Sequence, residues 1–307
     1  MSCDVFANDQ FDYLNMNFFK VLFGSGDQSP EEEKQNEDAR RFDLLKYDGV
    51  KAMKMGRPDY AVKCFQEALR MNEDLEVRDY LSRALVTQGE YEQALEQLQL
   101  LMDAQPDNKE LPMQAAHVAN LMDDYDRMQQ YCEQSLAIDP ENATAHFLYA
   151  RACLGKNDLV GTIARLTRCI ALNEHFGDAY LLRGQTLLQM GDVAGADADA
   201  EWLMEHAEHH EDILMLVARI ARAKGNSDEA LTVYTQVIDL NPFHVEAYRE
   251  RGQLRFETGD KQGAKEDMEK VLELCPEEMN DVNGDYTAEG IEQQVKRAYS
   301  ALNPFGL

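Results

Sequence analysis

Apolar and small side chains recur along this chain at helical spacing, stop, and then recur. Within residues 241–274, Tyr248, Gly252 and Phe256 fall four apart, and Ala264, Met268 and Val271 continue at steps of four and three. Such stripes give each of two helices one packing face. Gly259-Asp260 separates the helices with turn chemistry, and Pro276 ends the second one, because proline removes a donor and clashes with the preceding turn. Runs of Val, Ile and Thr alternating with polar residues are missing. The pattern predicts an all-α chain.

The unit repeats at a constant step. Pro106 and Pro140 are 34 residues apart, as are Pro242 and Pro276. Gly191, Gly225 and Gly259 keep that step, and so do Ala196, Ala230 and Ala264. Gly89 and Ala94 stand three steps before Gly191 and Ala196. Three residue types on one lattice specify a repeated helix, turn, helix and stop. Seven units follow, at 42–74, 75–108, 109–142, 143–176, 177–210, 211–244 and 245–278. Their eighth position reads Gly49, Ser82, Ala116, Ala150, Gly184, Ala218 and Gly252, all small. The position opening the second helix reads Ala61, Ala94, Met128, Thr162, Ala196, Ala230 and Ala264. Bulkier Met128 and Thr162 lead us to expect looser packing in the third and fourth units.

These residues resemble the tetratricopeptide repeat signature, and the resemblance covers residues 42–278. It implies a right-handed superhelical solenoid of antiparallel helix hairpins. Residues 1–41 would form an N-terminal amphipathic segment and a leading helix, and residues 279–307 a C-terminal capping helix and tail. Ser29-Pro30-Glu31-Glu32 reads as a helix start, predicted to run through Arg40 and Arg41 into the first unit. Further upstream, Leu14, Phe18, Val21 and Leu22 share one helical face. Three roles stay open for that face: a cap on the first repeat, a docking segment, or a membrane-surface helix. The C-terminal helix is expected over 287–302.

Two charge pairs give the register an internal check. The seventh position carries Arg in two units, Arg183 and Arg251, and the residue sixteen later is then Asp199 or Asp267. In the family fold these positions face each other, which implies ion pairs between the helices of one hairpin. Elsewhere the pairs are mostly uncharged, as in Leu81 with Gln97 and Val217 with Val233.

Charge narrows the partners. The formal net charge is −27, from 57 acidic and 30 basic side chains. Such a surface repels phosphate backbones and anionic lipid, so nucleic acid is not the expected partner and a membrane is an unfavourable one. The six cysteines lack CxxC spacing, which argues against a zinc knuckle and fits a reducing cytoplasm. No secretory signal pattern opens the sequence.

Two stretches carry candidate metal chemistry, and in both the plain reading is preferred. Asp281, Asn283, Asp285, Thr287, Glu289 and Glu292 resemble a calcium loop, but Tyr286 stands where that loop needs glycine for its sharp turn. His206, His209 and His210 cluster among glutamates without a completing ligand set. Patterns for phosphate loops, dinucleotide loops, nucleophile elbows and zinc peptidases are missing. The expectation is therefore a non-enzymatic chain with no cofactor and no metal.

The resemblance directs attention to the first helix of each unit, whose fifth, ninth and twelfth positions face a ligand in this family. The ninth position reads Val50, Arg83, His117, Arg151, Gln185, Arg219 and Gln253. Phe147, Leu154, Leu181, Leu188, Met215, Asn120 and Arg222 surround that row. A row of donors and cations in so acidic a chain suggests a groove for a partner peptide or helix carrying acidic and apolar residues. The competing reading is that these arginines neutralise carboxylates on adjacent helices. The clamp by which such proteins hold heat-shock chaperone tails is not matched: of Lys46, Val50, Tyr80, Glu110 and Gln114, only Lys46 fits. The expected function is a scaffold or adaptor. The alternative is a regulatory receptor whose groove takes a peptide or small ligand and changes the superhelix.

Overall fold

The computed structural model describes residues 30–206 and 210–275. They form fourteen α-helices and fall into two compact units, divided after Leu101. The first unit holds α1 (Pro30–Lys54), α2 (Pro58–Met71), α3 (Leu75–Gln88) and most of α4 (Tyr91–Ala104). The second holds α5 (Glu110–Leu121), α6 (Tyr125–Ile138), α7 (Ala143–Gly155), α8 (Leu159–Leu172) and α9 (Gly177–Gln189). It continues with α10 (Val193–His206), α11 (Glu211–Ala223), α12 (Ser227–Leu240), α13 (Val245–Thr258) and α14 (Lys261–Leu274). Fourteen helices fit about seven hairpins. Among the described residues there is no strand, and no helix is long and apolar enough to cross a membrane.

Within the second unit each helix packs on its neighbours in sequence, and α5 on α7 and α9 on α11 also touch. This is the nearest-neighbour burial that a 34-residue repeat requires. In the first unit, α1 runs unbroken through Arg40 and Arg41 for 25 residues, as the helix-start motif predicts. The segment around Leu14 to Leu22, the helix expected over 287–302, the calcium-like loop and His209 lie outside the described residues.

Each hairpin turns on one residue in the left-handed backbone region. Glycine fills it at Gly56, Gly89, Gly191, Gly225 and Gly259, with φ between 67° and 94°. In the third and fourth hairpins Asp123 and Asn157 take its place, at φ 52° and 58°. A Cβ makes this conformation costly, and Asn and Asp are the side chains that best tolerate it. The sequence lattice therefore has no missing turn; it has two non-glycine turns. The residue after each of these two is an aspartate that caps the second helix: Asp124 accepts from the Arg127 amide at 2.9 Å, and Asp158 from the Gly161 amide at 2.9 Å.

The small positions explain how closely the helices approach. A Cβ built on Gly184 would lie 2.9 Å from Leu216 Cδ2, so α9 and α11 can pack only without it. Ala196, Ala230 and Ala264 are completely buried. Met128 and Thr162 are also completely buried, so these two larger side chains are taken into the core. The Met128 side chain is absorbed by a core of Ala116, Ala145, Leu148 and Cys153, as an unbranched thioether readily fills irregular space. Thr162 satisfies its hydroxyl by donating to the Asp158 carbonyl at 2.8 Å.

Both expected ion pairs form. Arg183 donates to Asp199 from Nε at 2.9 Å and Nη2 at 2.6 Å. Arg251 does the same to Asp267, at 3.1 and 2.6 Å. Both arginines also reach back to the preceding hairpin, where Arg183 Nη1 meets Thr167 Oγ1 at 3.3 Å and Arg251 Nη1 meets Thr235 Oγ1 at 3.0 Å. Each guanidinium thus ties three helices.

Candidate functional site

The site expected from the sequence is a row along the first helices of successive hairpins. Arg83 lies in the first unit, where it pairs with Asp79 one turn earlier at 2.9 Å. The other ten expected residues lie in the second unit.

At the far end of that unit the cations are already engaged. Arg219 sits half-buried on α11 and donates from Nε to both Glu250 oxygens on α13, at 2.9 and 3.1 Å. Glu250 Oε2 also accepts the Tyr234 hydroxyl at 2.7 Å. Burial and Glu250 push the Tyr234 phenol far up, so it remains a donor. Arg222 meets Glu257 at 2.9 Å and Gln253 at 3.5 Å. For Arg219 and Arg222 the structure therefore realises the neutralising arrangement. Met215 is buried in the hairpin core with Leu214, Ala218 and Tyr234, and offers little surface.

The middle of the row is different. Arg151 is exposed on α7, and among the described residues no carboxylate lies within 4.0 Å of it. Its neighbour in the row is His117, also exposed on α5. Partial desolvation and then the charge of Arg151 push the His117 imidazole below its ordinary value. His117 is accordingly neutral at pH 7, with one donor and one acceptor. Asn120, one turn along α5, is half-buried and polar. Phe147 and Leu154 flank Arg151 on α7, and Gln185 and Leu188 follow on α9, all half-buried. Phe147 is held by Phe176, with ring centroids 5.0 Å apart. One free cation beside half-buried apolar side chains and amide groups can receive a carboxylate and neighbouring apolar groups.

A second feature was not singled out from the sequence. Tyr149 takes the seventh position of the fourth hairpin, where two other hairpins have arginine. Its hydroxyl donates to Glu133 on α6 at 2.7 Å, and the Arg165 guanidinium on α8 lies 3.8 Å from its ring centre. The charges of the Arg183–Asp199 tie are thus reversed, with the acid behind and the cation ahead. The sixteen-residue separation of the ion pairs holds here too, as Tyr149 with Arg165, an aromatic ring and a cation in place of opposite charges.

Burial pushes the Cys132 thiol up to about 12 and Cys169 to about 11, so both remain protonated core residues. His206 stacks on Trp202 at 4.7 Å between centroids, and Trp202 on Tyr180 at 3.9 Å.

Three models described as tetratricopeptide repeat match the sequence, over residues 49–109, 113–142 and 217–296. No curated protein matches it significantly. Solved structures share the fold at low identity. A tetratricopeptide repeat protein from Parabacteroides merdae ATCC 43184 is 14% identical with a TM-score of 0.64, over 84% of this chain and 99% of that one. PilW, a widely conserved type IV pilus biogenesis factor, is 16% identical with a TM-score of 0.59, over 73% of this chain and 99% of its own. The Cut9–Hcn1 hetero-tetramer of the APC/C contains a chain 16% identical with a TM-score of 0.55, over 84% of this chain and 49% of that one. The recurring small positions, the left-handed turns, the paired helices and these matches agree: the chain belongs to the tetratricopeptide repeat family.

Proposed function

We propose that this protein is a non-enzymatic interaction scaffold that holds an acidic, partly apolar segment of a partner protein against α5, α7 and α9. Repeat arrays of this family typically serve protein–protein interaction, and the Cut9–Hcn1 hetero-tetramer is by its name an assembly of proteins. The observation that carries the reading is Arg151, an exposed guanidinium without a carboxylate partner, flanked by Phe147 and Leu154. Arg219 and Arg222 carry less of the recognition than their positions imply, because Glu250 and Glu257 already occupy their forks. His117, Asn120, Gln185 and Leu188 supply the rest of the contact face.

A net charge of −27 disfavours nucleic acid, and an acidic segment is received only where a local unpaired cation such as Arg151 offsets that field. The reading includes a reducing, cytoplasmic setting, supported by six cysteines without paired spacing.

Affinity capture from lysate with wild type and Arg151→Glu, followed by anisotropy titration of the captured segment, tests the proposal. A partner whose affinity falls by about tenfold or more in the variant, and whose bound segment is rich in Asp or Glu, is the expected result. A partner profile and affinity unchanged by Arg151→Glu would refute it.

A further inference from the structure

The second unit contains a cavity of about 610 Å³ between α6, α7 and α8. It lies on the other side of α7 from the proposed peptide face. Arg151 and Tyr149 are two residues apart, about 200° around the helix, and Tyr149 lines this cavity with His146, Gln129, Lys156, Arg165 and Arg168. We propose that this cavity is a second binding site, taking a small molecule that carries an oxyanion, either a carboxylate or a phosphate.

The argument starts from how the cations are used. In the second unit, ion pairs engage lysines and arginines along every other hairpin. Arg151, Arg165 and Arg168 lie within 4.0 Å of no carboxylate among the described residues, and all three belong to the α7–α8 hairpin. That hairpin carries Arg151, Lys156, Arg165 and Arg168 against the single acid Asp158, inside a chain of net charge −27. Two of the three unpaired guanidinium groups line one cavity.

The acids near that cavity are committed elsewhere. Asp158 caps α8 through the Gly161 amide at 2.9 Å. Asp126 accepts from Lys156 at 2.7 Å. Glu133 accepts the Tyr149 hydroxyl at 2.7 Å and the Gln129 amide at 3.1 Å. Arg165 is held against the Tyr149 ring, and a guanidinium stacked this way keeps the N–H groups of its edge for a planar oxyanion. Arg168, one turn further along α8, is exposed beside it.

One lining residue is polar, deeply buried and incompletely satisfied. His146 is 6% exposed, and its Nε2 meets the Pro140 carbonyl at 3.3 Å while its Nδ1 has no partner. Such an atom is costly to bury unless something satisfies it. Burial, and then the charges of Arg165 and Arg168, hold the His146 imidazole below its ordinary value.

Isothermal titration calorimetry on the full chain tests the site with two probes, citrate and inorganic phosphate, each in a chloride buffer of matched ionic strength. The expected result is saturable binding of one probe that weakens about tenfold in Arg165→Gln and in Arg168→Gln. The probe bound more tightly identifies the preferred oxyanion. Arg151→Gln removes the same charge from the opposite face of α7, and leaves this binding unchanged while weakening the partner segment described above. No saturable binding of either probe up to roughly 10 mM, the affinity of one charge-assisted hydrogen bond, overturns the proposal. Equal weakening in all three variants does so as well. Because Arg168 is exposed, Arg168→Gln decides the question even if Arg165→Gln disturbs the fold.

Discussion

Arg151 and Arg219 occupy the same repeat position two hairpins apart, yet one guanidinium is free and the other is locked. The difference lies 31 residues later in the chain. Arg219 finds Glu250 there, on the first helix of the next hairpin. Arg151 finds Leu182, a half-buried side chain packed with Ala150 and Leu166. Neither arginine reveals its state by its own identity or its own helix. In a solenoid, the neighbour that decides a side chain's role sits one repeat away.

That comparison can be broken at several points, beginning with the deepest lock. Asp267 is 2% exposed and accepts from both Arg251 and Arg255. Asp267→Ala should destabilise the last hairpins by about 3–5 kcal/mol, because it leaves the buried Arg251 guanidinium without its carboxylate. Hydrogen exchange of α13 and α14 reads this better than a global melt, since repeats open locally. Asp199→Ala should cost less in α9 and α10, where Arg183 keeps more solvent contact.

Glu250→Gln attacks the half-buried lock. It removes the charge partner of Arg219 and weakens the Tyr234 hydrogen bond. The expected cost is about 1–3 kcal/mol, lowered by the partial exposure of Arg219. Arg219 should then become available, and an acidic segment held by Arg151 should bind more tightly to this variant. A weaker complex in Glu250→Gln would mean that the two positions do not share a binding face.

The turns sharpen the comparison from another side. Asn157→Gly should stabilise the α7–α8 hairpin by about 0.5–1 kcal/mol, since it relieves a positive φ of 58°. Asp123→Gly should gain less, because Asp123 also accepts from the Tyr125 hydroxyl at 3.1 Å. Urea midpoints of the two variants against wild type check this order.

The smallest stability change is expected at the free cation. Arg151→Glu should leave stability within about 0.5 kcal/mol of wild type, as an exposed unpaired side chain contributes little to folding. A loss of more than about 2 kcal/mol would mean that Arg151 is structural and would remove it from the recognition face.

The chain's own residues determine the period of the repeat. A step of 34, small residues at the eighth position and a proline stop after four of the second helices are local and periodic, so they can be read without coordinates. The Arg183–Asp199 and Arg251–Asp267 pairs were legible for the same reason, because the hairpin register makes a separation of sixteen a contact. Three things were decided only in three dimensions. Met128 and Thr162 became fully buried despite their size, because the surrounding side chains set the room available. The turns at Asp123 and Asn157 took a glycine's conformation, which residue identity permits without requiring. The freedom of Arg151, the capture of Arg219 and the cavity beside Arg165 arose from side chains meeting across separate helices. A periodic code specifies where helices lie; charges compete for partners over distances that only the packed array brings within reach.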